Sequence, residues 1–147
     1  MKAKSQARAA ARLAAVQALY QQAMEGTSLP MLLDEFHRHR LGAEIEDIQF
    51  ANAETAFFDD VVTGTLARRD EIDAVLSSKL AEGWKLERLD RTMLQILRAG
   101  TYELMARKDV SIGTAISEYL DVAHAFFDAR EAKFVNGVLD AVAKAVR

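Results

Sequence analysis

Apolar residues recur at three- and four-residue steps along almost the whole chain, and a single proline, Pro30, interrupts 147 residues. Steps of that length stack side chains on one face of a helix, whereas a half-buried strand needs strict alternation. No run of alternating β-branched residues competes with the helical pattern. The chain therefore reads as all-α, a compact bundle of six or seven helices in one domain, 1–147. At this length it can bury a real core.

The first helix is expected over about residues 5–24, where Leu13, Val16, Tyr20, Ala23 and Met24 form an apolar stripe. "EGTSLP" ends it, with Gly26 as the C-terminal cap and Pro30 suited to the first turn of a helix over 30–40. Met31, Leu32, Leu33 and Phe36 of that helix read as inward. "RLGAEIEDIQF" reads as a connection to a longer helical region, 50–80, which breaks near Arg69 and Asp70. In the joint "AEGWKLERLD", Trp84, the one tryptophan, reads as a packing anchor. "RTMLQILRAGTYELMAR", 90–107, is apolar around most of its circumference and should be the central helix. Helices over 111–127 and 129–146 complete the set. Asp128 and Glu131 between them have the spacing of a capping box.

Composition removes several function classes. The chain has no cysteine, so it carries neither a disulfide framework nor a thiolate metal site. Its Ala-rich opening is broken by Arg8 and Arg12 and lacks the apolar core of a secretory signal, and no stretch is long enough to span a membrane. A cytoplasmic protein is expected. There is no Gly-rich phosphate loop and no HExxH spacing. His37 and His39 stand two apart on a helix, and His124 stands alone, so all three read as surface or structural histidines. Nothing singles out a pair of carboxylates. The chain reads as a non-enzyme without metal or cofactor.

Charge is the informative quantity. The net charge is -3, yet residues 1–24 hold four bases and no acid, leaving 15 bases and 22 acids, or -7, for the other 123 residues. Lys4, Arg8 and Arg12 are spaced i, i+4, i+8 and read as one ridge, with Lys2 just before it. Like charges at that spacing repel by about 0.2–0.5 kcal/mol per pair, a cost that a polyanion would relieve. A solvated helix start whose bases only aid solubility explains the same residues equally well. The second signal is "FFDAREAKFVNGVLD", where Arg130 and Lys133 sit three apart among Phe126, Phe127 and Phe134. Single-stranded nucleic acid is held by such a mixture, cations for phosphate and aromatic faces for unstacked bases. Phe134 also fits an ordinary core stripe with Val138 and Val142. Phe126 and Phe127 cannot both face inward, so one of them should be exposed.

"RLAAVQALYQ", "ILRAGTYEL" and "AKFVNGVLD" occur in this order and at a spacing that resembles the NusB family of bacterial transcription antitermination factors. The resemblance covers nearly the whole chain, and "KFVNGVLD" is its most specific part. It implies two packed helical sub-bundles, no catalysis, and binding of boxA RNA together with the ribosomal protein NusE. In that role the pair helps RNA polymerase, in its elongation complex, read through terminators, chiefly in ribosomal RNA operons. Related domains occur fused to RNA cytosine methyltransferases; this chain ends right after its last helix, so the stand-alone factor is expected. The RNA-facing positions that carry over are Arg8, Arg12 and Tyr20, then Phe126, Lys133 and Phe134, with Lys2 and Lys4 in the variable basic tail.

Two departures from the family pattern stand out. Arg130 occupies a position where an acidic residue can occur, which alters the RNA contacts expected there. Met93 replaces an acid that contributes to the NusE contact, and Glu87, matching a family acid nearby, is the candidate for the NusE side. Some members pair through the RNA-binding face, so a homodimer would compete with RNA for the same residues. The alternative reading is a helical protein-interaction module that uses the charge of -7 to bind a basic partner without touching RNA.

Overall fold

Alanine, the strongest helix former, supplies much of the first helix and decides which of its faces is buried. The computed structural model describes residues 2–39, 41 and 48–147; the side chains of 2–5 and 48–53 lie outside that description. Among the described residues the chain forms seven α-helices and one 3-10 turn, with no strand. They are α1 (Lys2–Glu25), α2 (Leu29–His39), α3 (Ile48–Ala67), α4 (Arg69–Lys79), the turn Leu86–Arg88, α5 (Arg91–Ala106), α6 (Ile112–Phe126) and α7 (Ala129–Val146). The connection expected over residues 40–50 falls largely outside the described residues. The chain divides into two compact units, Met1–Gly64 and Thr65–Arg147.

In the first unit, α1 packs on α2, and Ala7, Ala11, Ala14, Ala15, Ala18, Val16 and Leu19 are buried. The stripe expected from the larger side chains is thus rotated. Val16 is buried, but Leu13 is half-buried and Tyr20, Ala23 and Met24 are exposed. A pattern weighted by large residues undercounts alanine, whose small side chain still buries well and lets a neighbouring helix approach. Met31, expected inward, is exposed, while Leu32 and Phe36 are buried. Phe36 stacks on Phe58 of α3 with ring centroids 5.5 Å apart, and Val61 and Val62 extend that core. Gly26 ends α1 as expected: its φ of +70° suits a residue without Cβ, and its N–H donates to the Gln22 carbonyl at 2.8 Å.

In the second unit, α5 packs against α4, α6 and α7, and eleven of its sixteen residues are buried. This is the central helix expected from apolar residues around most of its circumference. Asp90 caps it by accepting from the Thr92 and Met93 N–H groups. The helix lies close to α7 at Gly100, where an added Cβ would be 3.0 Å from Leu139 Cδ2. Of the buried polar groups in the unit, the Tyr119 hydroxyl donates to Glu103 at 2.6 Å. The Arg98 guanidinium makes a two-pronged contact with Asp73 at 2.8 Å on each arm, tying α5 to α4. The expected break near Arg69 falls at Arg68, between α3 and α4.

Candidate nucleic-acid interface

The expected RNA-facing residues fall into two groups, one in each unit. On α1, Arg8 is half-buried and Arg12 is 2% exposed. Both guanidiniums lie over the ring of Phe57 on α3, 4.7 and 4.8 Å from its centroid, within range for a cation–π contact. Arg12 therefore does not stand outward beside Arg8 as the ridge reading expects. A four-residue step advances a helix by about 400°, so Arg12 is turned about 40° from Arg8, into the packed side of α1. Glu54, one turn before Phe57 on α3, is buried too, which places an acid on the helix that receives the buried Arg12 charge. Arg12 is thus a buried residue rather than a solvent-facing cation. The side chains of Lys2 and Lys4 lie outside the described residues. Tyr20 is 39% exposed near the other end of α1.

The second group surrounds the start of α7. Phe126 is 43% exposed and its ring centroid lies 6.4 Å from that of half-buried Phe127. The expectation that one of this pair is exposed holds. Asp128 caps α7 by accepting from the Arg130 N–H at 2.9 Å. Its carboxyl is held below the ordinary aspartate range, first by the hydrogen bond shared with the Glu131 side chain and then by the Arg130 N–H. Arg130 and Lys133 are exposed, and among the described residues neither side chain pairs with a carboxylate. A cation in the first turn of a helix opposes the helix dipole, so Arg130 occupies a position with no intrinsic electrostatic reward. Phe134, on the second turn, is half-buried, which reconciles its core spacing with an accessible edge.

Trp84, read as a packing anchor, was not among the expected contact residues. It is 57% exposed, yet its ring lies 6.2 Å from Phe134, tilted by 38°. The sequence signal was Gly83 directly before it: the glycine takes φ +87° and closes a turn in which the Trp84 N–H donates to the Ala81 carbonyl. A chain that turns there lifts the next side chain out of the packing. Of the two candidates for a partner contact, Glu87 is exposed on the 3-10 turn, whereas Met93 is buried in α5. Met93 is a core residue, its long apolar side chain packed within the second unit.

The histidines carry no visible site. His37 bonds Asp59 at 2.5 Å, and His39 and His124 are exposed. Among the described residues no group of three His, Cys, Asp or Glu side chains could hold a metal ion, and no helix is long and apolar enough to cross a membrane.

The profile of the NusB family matches residues 9–144. The chain belongs to the NusB family. It is 76% identical over 141 residues to the transcription antitermination protein NusB of Novosphingobium aromaticivorans, covering 96% of this chain and 95% of that one. It is 63% identical over 147 residues to the protein of the same name from Sphingopyxis alaskensis, covering 100% and 99%. Among solved structures it resembles a chain from the crystal structure of antitermination factors NusB and NusE in complex with dsRNA. That match has a TM-score of 0.80 and 26% identity, covering 95% of this chain and 98% of the other. The all-α fold and the family resemblance carried by "RLAAVQALYQ", "ILRAGTYEL" and "KFVNGVLD" both hold.

Proposed function

We propose that this NusB-family chain is a transcription antitermination factor that binds boxA-type single-stranded RNA together with NusE. In the elongation complex with RNA polymerase it promotes read-through, chiefly of ribosomal RNA operons. The observation that carries the reading is the family match over residues 9–144, joined to exposed Arg130, Lys133 and Phe126 around the start of α7. The proposed RNA-contacting residues are Lys2, Lys4, Arg8, Tyr20, Phe126, Arg130, Lys133 and Phe134. Arg12 acts indirectly, by fixing with Phe57 the base on which Arg8 rests. Glu87 is the proposed NusE contact, and Met93 supports it only from the core of α5. The whole chain, 1–147, serves as one RNA-binding domain in the cytoplasm, non-enzymatic and without metal or cofactor.

A gel shift of boxA RNA with this protein, with and without NusE, tests the reading. A shifted band that is strongest with both proteins present is expected. The second reading, a protein-interaction module, draws on the exposed Glu87 and on the charge of -7 over residues 25–147. It predicts NusE binding with no RNA shift in either lane. A homodimer formed through the RNA face would instead show as a mass that falls when RNA is added.

A further inference from the structure

We infer that Trp84 and Phe134 form a stacking platform for one unpaired RNA base, extending the proposed RNA face beyond the start of α7. The inference rests on the RNA-binding reading above and adds a residue to it.

A tryptophan left 57% exposed forgoes most of the gain that burial of its large apolar surface would bring. It is nonetheless held in place. Gly83 closes the turn before it, and Leu86 and Leu89 after it are buried, so the segment is pinned on both sides. Its ring rests against Phe134 at 6.2 Å. This leaves an accessible aromatic surface whose position is set before any ligand arrives, which lowers the ordering cost of binding. Each ring also has a cation beside it in sequence, Lys85 after Trp84 and Lys133 before Phe134, and both are exposed. Aromatic faces interleaved with cations suit a nucleotide, whose base stacks while its phosphate meets the charge. The platform is continuous with the proposed interface, because Phe134 and Lys133 belong to it already.

The sole tryptophan of the chain supplies its own reporter. Full-length protein in complex with NusE is titrated with a short single-stranded boxA RNA, following tryptophan emission and, in parallel, the anisotropy of labelled RNA. The Trp84→Phe variant, titrated identically, measures any signal that NusE contributes, to be subtracted. Quenching by RNA that is lost in Trp84→Phe is expected. Trp84→Ala should weaken RNA binding about fivefold or more, the loss of one base stack, while Trp84→Phe stays within about threefold because a ring remains. NusE binding without RNA should be the same for all three proteins. Wild-type binding with no quenching and equal affinity of Trp84→Ala overturns the platform while leaving the proposed function standing. Loss of NusE binding in Trp84→Ala assigns the surface to protein contact and also overturns it. No RNA binding by the wild type, with or without NusE, overturns the function and the platform together.

Discussion

The two groups of cations differ in how they are held. On α1 the guanidiniums of Arg8 and Arg12 share the ring of Phe57, one half-buried and the other almost fully so. At the start of α7, Arg130 and Lys133 stand in solvent without a carboxylate partner among the described residues. An arginine laid on an aromatic face is planar, weakly hydrated and already ordered. A lysine on a flexible stem keeps its rotamer freedom until it meets a phosphate. The first arrangement couples charge to the packing of its unit; the second keeps charge and stability apart. Substitutions near α1 should therefore disturb folding and binding together, and those near α7 should disturb binding alone.

Phe57→Ala is the strongest way to break that contrast. It removes a buried side chain and the surface beneath both guanidiniums, so a loss of about 3–5 kcal/mol is expected in a denaturant melt, together with weaker RNA binding. A variant that melts like the wild type would show that the two arginines do not depend on the ring. Gly100→Ala probes the second unit away from its cations. The new methyl would meet the fully buried Leu139 at 3.0 Å; an overpacking cost of about 1–3 kcal/mol set against about 1 kcal/mol gained in helix propensity gives a net loss of at most about 2 kcal/mol, without altering RNA affinity per folded molecule. Lys133→Ala should shift stability by less than about 0.5 kcal/mol, yet weaken RNA binding. Equal losses of stability in Lys133→Ala and Phe57→Ala would erase the distinction between the units.

The smallest effect is expected at the cap of α7. Asp128 titrates below the ordinary aspartate range when folded, so it stabilises the folded state fully above that range. The stabilisation disappears as pH falls through the lowered value. Asp128→Asn should therefore narrow its difference from the wild type between neutral pH and about pH 3 in thermal melts. A difference that widens on acidification would contradict this sign.

How much of this was readable in the sequence depends on side-chain size and on turn geometry. The central helix was legible because Met93, Leu94, Ile96, Leu97, Gly100 and Leu104 wrap most of its circumference, whereas the burial of Gln95 and Glu103 beside them was not. The end of α1 was legible from Gly26, and the exposed member of Phe126–Phe127 from the impossibility of burying both. The buried face of α1 was not, because five alanines outweigh Leu13, Tyr20 and Met24 only when helix packing distance is known. Arg12 was misplaced for a related reason: a four-residue step is not a whole number of turns, so a ridge of three drifts into the core. The exposure of Trp84 was not legible, because its role as a packing anchor against Phe134 does not reveal how far the turn at Gly83 leaves the ring in solvent.

The most direct test of the central claim is the salt dependence of boxA RNA binding, in the presence of NusE, for the wild type and for the double variant Arg130→Ala/Lys133→Ala. Each phosphate contact to a single strand contributes about 0.7 to the slope of log affinity against log salt. Two exposed, independent contacts predict a slope flatter by about 1.4, with an unchanged melting curve. An identical slope in the two proteins would contradict the assignment of the α7 cations to the RNA backbone.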